Sequence, residues 1–181
     1  MHALIVRQKL MSSIPITKLD AARRQTDAAI SLWFHEADPV SIHTLGAAAL
    51  QILHDLGDRI GEPAGHYDPR YFREETFAEW KRIARQPQNF FKHADRPSDP
   101  DAVHHFRPAR NEMLLSDCVY TYRRVADERT SIMRVFWTYF MLHHPELFED
   151  PPIESSVAGL KGLSRQQFFK DALPLIQALG A

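Results

Sequence analysis

A chain of 181 residues, 44% hydrophobic and 25% charged, can bury most of its apolar surface around one core and is too apolar to stay unfolded. Its 22 basic and 23 acidic residues leave a formal net charge of −1, so it has no general attraction for nucleic acid or an anionic membrane. The lone cysteine, Cys118, excludes an internal disulfide, and no apolar run approaches the roughly 20 residues of a membrane helix.

Residues 1–14 read as a peripheral N-terminal extension and residues 15–181 as one helical domain. The apolar stretch Met1–Val6 is too brief for a signal peptide, so a reducing, cytoplasmic location is expected. The first helix opens at Thr17, whose side chain can cap the first turn while Asp20 reaches back. It should run to about His35, with Leu19, Thr26, Ile30, Trp33 and Phe34 on its inner face. Asp38 and Pro39 open a second helix to Leu56, apolar nearly all round and therefore expected to be the most buried element. Gly57 and Gly61 stop it.

Residues 62–70 contain Pro63, Gly65 and Pro69 and read as a loop. Phe72, Thr76, Trp80, Ile83 and Ala84 mark a third helix, which Pro87 should break. A separate helical turn, Asn89–His93, is expected next. The turn-rich segment Arg96–Asp101 follows, and then a brief strand over Val103–Phe106. Two firm helices come after it. One spans about Ala109–Ala126 with Leu114, Cys118, Tyr122 and Val125 inside. The other spans about Asp127–His143 and carries Ile132, Val135, Phe136, Tyr139 and Phe140. Residues 151–162 read as a loop. Ser164 and Gln167 form a second capping box, opening a last helix to about Leu179 that Pro174 should kink or shorten. The fold class is all-α, a single-domain helical bundle of five or six main helices.

The ten histidines raise the question of a metal site. No two stand three or four apart, as helical ligands must to converge on one ion. His104–His105 and His143–His144 are adjacent and diverge, while His43 and His54 share a helix face about 16 Å apart. No metal or other cofactor is expected. Cys118 sits on an apolar stripe with no base near it in sequence, and reads as a small core hydrophobe rather than a nucleophile. Gly-rich phosphate loops, a Gly-x-Ser-x-Gly elbow and His-Glu-x-x-His are all missing from the sequence.

The segment from Gln88 to Arg96 stands out. Asn89 and His93 are four apart and share a helical face, Phe90 and Phe91 can bury the opposite side, and Lys92, Asp95 and Arg96 surround the histidine with charge. A histidine beside a carboxylate can serve as acid or base near neutral pH. The competing reading makes Asn89 and His93 a structural cap on the helix end.

The Asp38–His43 helix start and the Asn89-Phe-Phe-Lys-His-Ala-Asp95 motif resemble those of a bacterial all-helical family of unassigned activity, over about Thr17–Phe148. That resemblance implies a compact helical fold. More remotely, the layout resembles the HEPN superfamily, helical bundles that include dimeric, metal-independent ribonucleases with an Arg, a polar residue and a His in their motif. Asn89 and His93 fit, but Gln88 stands where the Arg belongs, and Arg85 lies too far upstream. In such a nuclease the Arg would stabilise the anionic transition state, and a neutral Gln88 cannot supply that charge. The expectation is a self-associating binding or regulatory module, a homodimer, with a polar pocket of Asn89, Lys92, His93, Asp95 and Arg96. The alternative is a HEPN-like ribonuclease, active or degenerate, with His93 as acid/base and Asn89 orienting it. A protein or RNA partner suits either reading. Neither a membrane partner nor a DNA-binding motif is expected.

Overall fold

The helix starts are set by local chemistry. Thr17 accepts from the Asp20 backbone N–H at 3.0 Å while the Asp20 carboxylate accepts from the Thr17 N–H at 3.2 Å, closing the capping box that opens α1 (Lys18–Phe34). Glu36 then takes a left-handed conformation and turns the chain. The Asp38 carboxylate accepts from the Ser41 N–H at 2.7 Å and starts α2 (Pro39–Arg59). The computed structural model describes residues 13–61, 74–95, 99, 101–148, 157 and 159–179, with the side chains of 74–81 excepted. Most of the N-terminal extension, Phe72, the loop at 62–70, Arg96 and most of the 151–162 loop lie outside these residues.

Pro87 does not break the third helix. Helix α3 runs from Glu74 to Lys92 without interruption, and the expected separate turn at Asn89–His93 is its C-terminal end. Pro87 removes one N–H, leaving the Ile83 carbonyl without its usual partner, but Ile83 is exposed and water can serve there. The proline ring itself is buried. Val103–Phe106 forms no strand; the Phe106 N–H bonds the His104 carbonyl at 3.0 Å in a tight turn.

Helix α4 spans Arg110–Ala126. The next helix, α5, starts at Ser131 and not at Asp127, and ends at His143. Asp127 adopts the left-handed conformation and ends α4, so the helical run cannot pass through it. Thr130 restarts the helix by accepting from the Met133 N–H at 3.1 Å, and its hydroxyl donates to Asp27 of α1 at 2.6 Å. A short 3-10 turn, Pro145–Leu147, follows. Ser164 accepts from the Gln167 N–H at 3.3 Å and opens α6 (Arg165–Ala178). Pro174 does not shorten α6: it lies on the exposed side, where the freed Lys170 carbonyl can meet water.

Among the described residues the protein is an all-α bundle of six helices with no strand. Helix α2 packs most extensively against α1 and α4, while α5 bridges α1 and α6. The α2–α4 contact is close because Gly46 has no side chain; a Cβ there would lie 3.0 Å from Leu114 Cδ2. Cys118 uses the same contact, its thiol donating to the Gly46 carbonyl at 3.3 Å. Burial pushes that thiol far above its ordinary pKa, so Cys118 stays protonated and packs as a hydrophobe. Of the two apolar helices, α5 is the more buried in proportion, seven of thirteen residues against eight of twenty-one in α2. Its aromatic residues fill the space between α1 and α6, whereas α2 leaves Val40, Ser41 and Thr44 exposed at its start. No described helix is long and apolar enough to cross a membrane.

Candidate functional site

Continuity of α3 through Pro87 lines up three polar side chains. Arg82, Gln86 and Asn89 are spaced four and three residues apart and so fall on one face. They line a cleft of about 310 Å³ together with Phe90 and, from the loop before α4, Ala102, Val103 and His104. The His104 ring lies over Phe90 with centroids 5.4 Å apart and planes tilted by 34°. Its Nε2 is shielded from solvent and has no hydrogen-bond partner among the described residues. An imidazole nitrogen in that position leaves a hydrogen-bonding demand unmet.

Behind the cleft stands an aromatic cluster. Phe91 and Phe106 contact each other edge to face with centroids 5.2 Å apart, and both contact the ring of His43. His43, on α2, is only 4% exposed. Its Nδ1 lies 3.0 Å from Asn111 Oδ1, while Asn111 Nδ2 donates to the Pro39 carbonyl at 2.9 Å. That second bond fixes which end of the Asn111 amide faces His43, so Nδ1 must carry the proton and Nε2 is left as a bare acceptor. Nε2 too has no partner among the described residues. Burial, with smaller contributions from Arg110 and His104, holds the His43 pKa below its ordinary value, against the opposing pull of the Asn111 bond. The ring is neutral at pH 7.

Of the residues singled out in the sequence, Asn89 lines the cleft and is exposed. Lys92 is the exposed last residue of α3, and Asp95 is exposed beyond it. His93 is half-buried and does not line the cleft. Its backbone N–H donates to the Asn89 carbonyl at 3.1 Å, and among the described residues no side-chain hydrogen bond joins it to Asn89 and no ion pair joins it to Asp95. Arg96 lies outside the described residues.

Arg82, Gln86 and His104 were not legible as site residues. The first two carry a signal, a spacing of four then three ending on Asn89, but it is visible only if the helix is carried through Pro87. Only tertiary packing brings His104 to that face. Among the described residues no three His, Cys, Asp or Glu side chains form a group able to hold a metal ion. His144 sits between Glu112 and Glu146, at 3.1 and 3.5 Å. The His143 ring bonds its own helix at the Tyr139 carbonyl. No known protein family, curated protein or solved structure matches the chain.

Proposed function

We propose that the protein is a helical binding module whose cleft takes a flat polar ring carrying an anionic group, as a nucleotide of single-stranded RNA does. The observation that carries this reading is the unpartnered, shielded His104 Nε2 in the wall of a cleft that Gln86 and Asn89 also line. Two side-chain amides offer both donors and acceptors to a base edge, and Phe90 and His104 supply flat faces for stacking. Arg82 brings positive charge to the same cleft. Lys92 and His93 follow within about one helical turn of Asn89, and Asp95 lies in the turn beyond the helix end. With a net charge of −1, the attraction for RNA must be local to this face. The cytoplasmic location and homodimeric state expected from the sequence belong to the same proposal.

One observation favours the ribonuclease reading: Arg82 shares the cleft with Asn89 and supplies a cation where Gln88 has none. Against it, His93, the proposed acid/base, does not line that cleft. Binding without robust cleavage is therefore expected.

Titration of fluorescent single-stranded oligoribonucleotides in EDTA tests both readings. Asn89→Ala should weaken binding by about tenfold, the equivalent of one lost hydrogen bond of about 1.4 kcal/mol, with the melting temperature unchanged because the side chain is exposed. His93→Ala retains the backbone bond to Asn89 and should change both readouts little. Failure of the wild type to bind, or equal affinity of Asn89→Ala, would overturn the proposal. Cleavage in EDTA that disappears in His93→Ala would establish the ribonuclease reading instead.

A further inference from the structure

Both walls of the Asn89 cleft rest on the ring of His43. The cleft-lining rings Phe90 and His104 each contact Phe91 with centroids 6.1 Å apart, and His104 also contacts Phe106 at 6.5 Å. Phe91 and Phe106 in turn contact the His43 ring, at 5.8 and 5.0 Å. Phe91 belongs to α3 and Phe106 to the loop before α4, so the two cleft-forming segments meet the bundle at one imidazole of α2. Among the described residues α3 packs chiefly on α2. Its segment after Pro87 also lacks one tie to the turn before it, the missing bond to the Ile83 carbonyl. The end of α3 can therefore lift away with the rest of the core intact.

This contact holds while His43 is neutral. Its Nδ1–H donates to Asn111 Oδ1, and its Nε2 is shielded from solvent with no partner among the described residues. A proton added at Nε2 creates a cation whose N–H has nothing to donate to, in a ring only 4% exposed. The charged or titratable groups that act on the ring are Arg110 from α4 and His104 from the loop, and both oppose a further positive charge. Asn111, Phe91 and Phe106, the other side chains against it, carry none. Among the described residues no carboxylate acts on the ring. Burial is the largest cause that keeps the proton off. Water reaches Nε2 when Phe91 and Phe106 move aside.

We propose that proton uptake by His43 opens the Asn89 cleft, so that a ligand held there at neutral pH is released in mild acid. This regulation rests on the Asn89 cleft being the binding site. The closed form excludes the proton and the open form takes it as an ordinary imidazole does, so opening is favoured as pH falls. For an open-form pKa of about 6.5, the opening equilibrium rises by at most about tenfold from about pH 7.5 to 5.5.

The test reads the opening and the ligand separately. Amide hydrogen exchange of the full chain, corrected for the intrinsic rate at each pH, measures the opening of residues 88–92. Relative to the core amides of α1, that opening should rise about tenfold between about pH 7.5 and 5.5, and it should stay level in the double His43→Leu and Asn111→Leu variant. The wild-type comparison of α3 with α1 stands on its own should that variant fold poorly. Over the same range the affinity of the wild type for an oligouridylate, whose bases do not titrate there, should fall by up to about tenfold, whereas that of the double variant should not fall. An α3 opening that stays level or only matches that of α1, or an RNA affinity that does not fall with pH, would overturn the pH control while leaving RNA binding intact. Absence of RNA binding at every pH overturns the RNA reading alone, and the exchange comparison then decides the opening by itself.

Discussion

Phe34→Ala should cost about 3–5 kcal/mol of stability and lower the melting temperature by on the order of 10 °C. Phe34 is fully buried at the point where α1, α5 and α6 meet. Its ring lies 4.8 Å from Phe169 in a stacked arrangement, 5.6 Å from Tyr139 and 6.3 Å from Phe136, both edge to face. Truncation forfeits the burial of a large ring, these aromatic contacts and the packing around the cavity left behind. Since total stability is typically 5–15 kcal/mol, such a loss approaches the whole reserve of a weakly stable domain. Leu53, equally buried on α2, should cost roughly 2–5 kcal/mol on truncation to Ala, while Leu175, 39% exposed, should change stability by less than about 0.5 kcal/mol. Urea melts that rank Leu175 with Phe34 would show the core to be misplaced.

The second large effect lies at His43 and Asn111. Asn111→Ala removes the acceptor for the His43 Nδ1–H and the donor to the Pro39 carbonyl, leaving buried polar groups unpaired at about 1–3 kcal/mol each. Replacing both His43 and Asn111 by Leu should recover much of that loss, because no orphan then remains. The pair also sets a pH dependence. The folded-state pKa of His43 is depressed below its ordinary 6.5, so between the two values the unfolded chain binds the proton and the folded chain does not. The His43 contribution is therefore complete above about pH 6.5 and is lost as pH falls, by at most about 1.4 kcal/mol per pH unit. Denaturant melts from pH 7.5 down to pH 5 should show this slope in the wild type and a flatter one in the double Leu variant. A wild-type slope unchanged in that variant would mean that His43 titrates normally.

The features legible in the sequence are those decided by neighbours along the chain. The Thr17–Asp20 box, the Asp38–Pro39 start and the Ser164 cap each span three or four residues, and each forms in the structure. Pro87 and Asp127 show where local rules fall short. A proline inside a helix costs one hydrogen bond and some crowding, which a buried ring and an exposed carbonyl can offset. Conversely, an aspartate that begins a favourable stretch can sit in the left-handed region and end the previous helix instead. The site was less legible for the same reason. With Pro87 read as a helix end, Asn89 stands apart from Arg82 and Gln86, and His93 is its nearest histidine in sequence. The histidine in the Asn89 cleft, His104, comes from a loop fifteen residues further on, and His43 finds Asn111 across 68 residues. Neither pairing has a periodicity to announce it.

Ligand binding at the Asn89 cleft is tested most directly by a residue-resolved NMR titration of the wild type with single-stranded RNA. The His104 ring nitrogens and the Gln86 and Asn89 side-chain amides should shift together and saturate, while the buried amides around Phe34 and Cys118 stay unmoved. Contradiction would come from an unperturbed His104 and Asn89 at saturating RNA, or from shifts confined to residues 120–129 at the turn between α4 and α5.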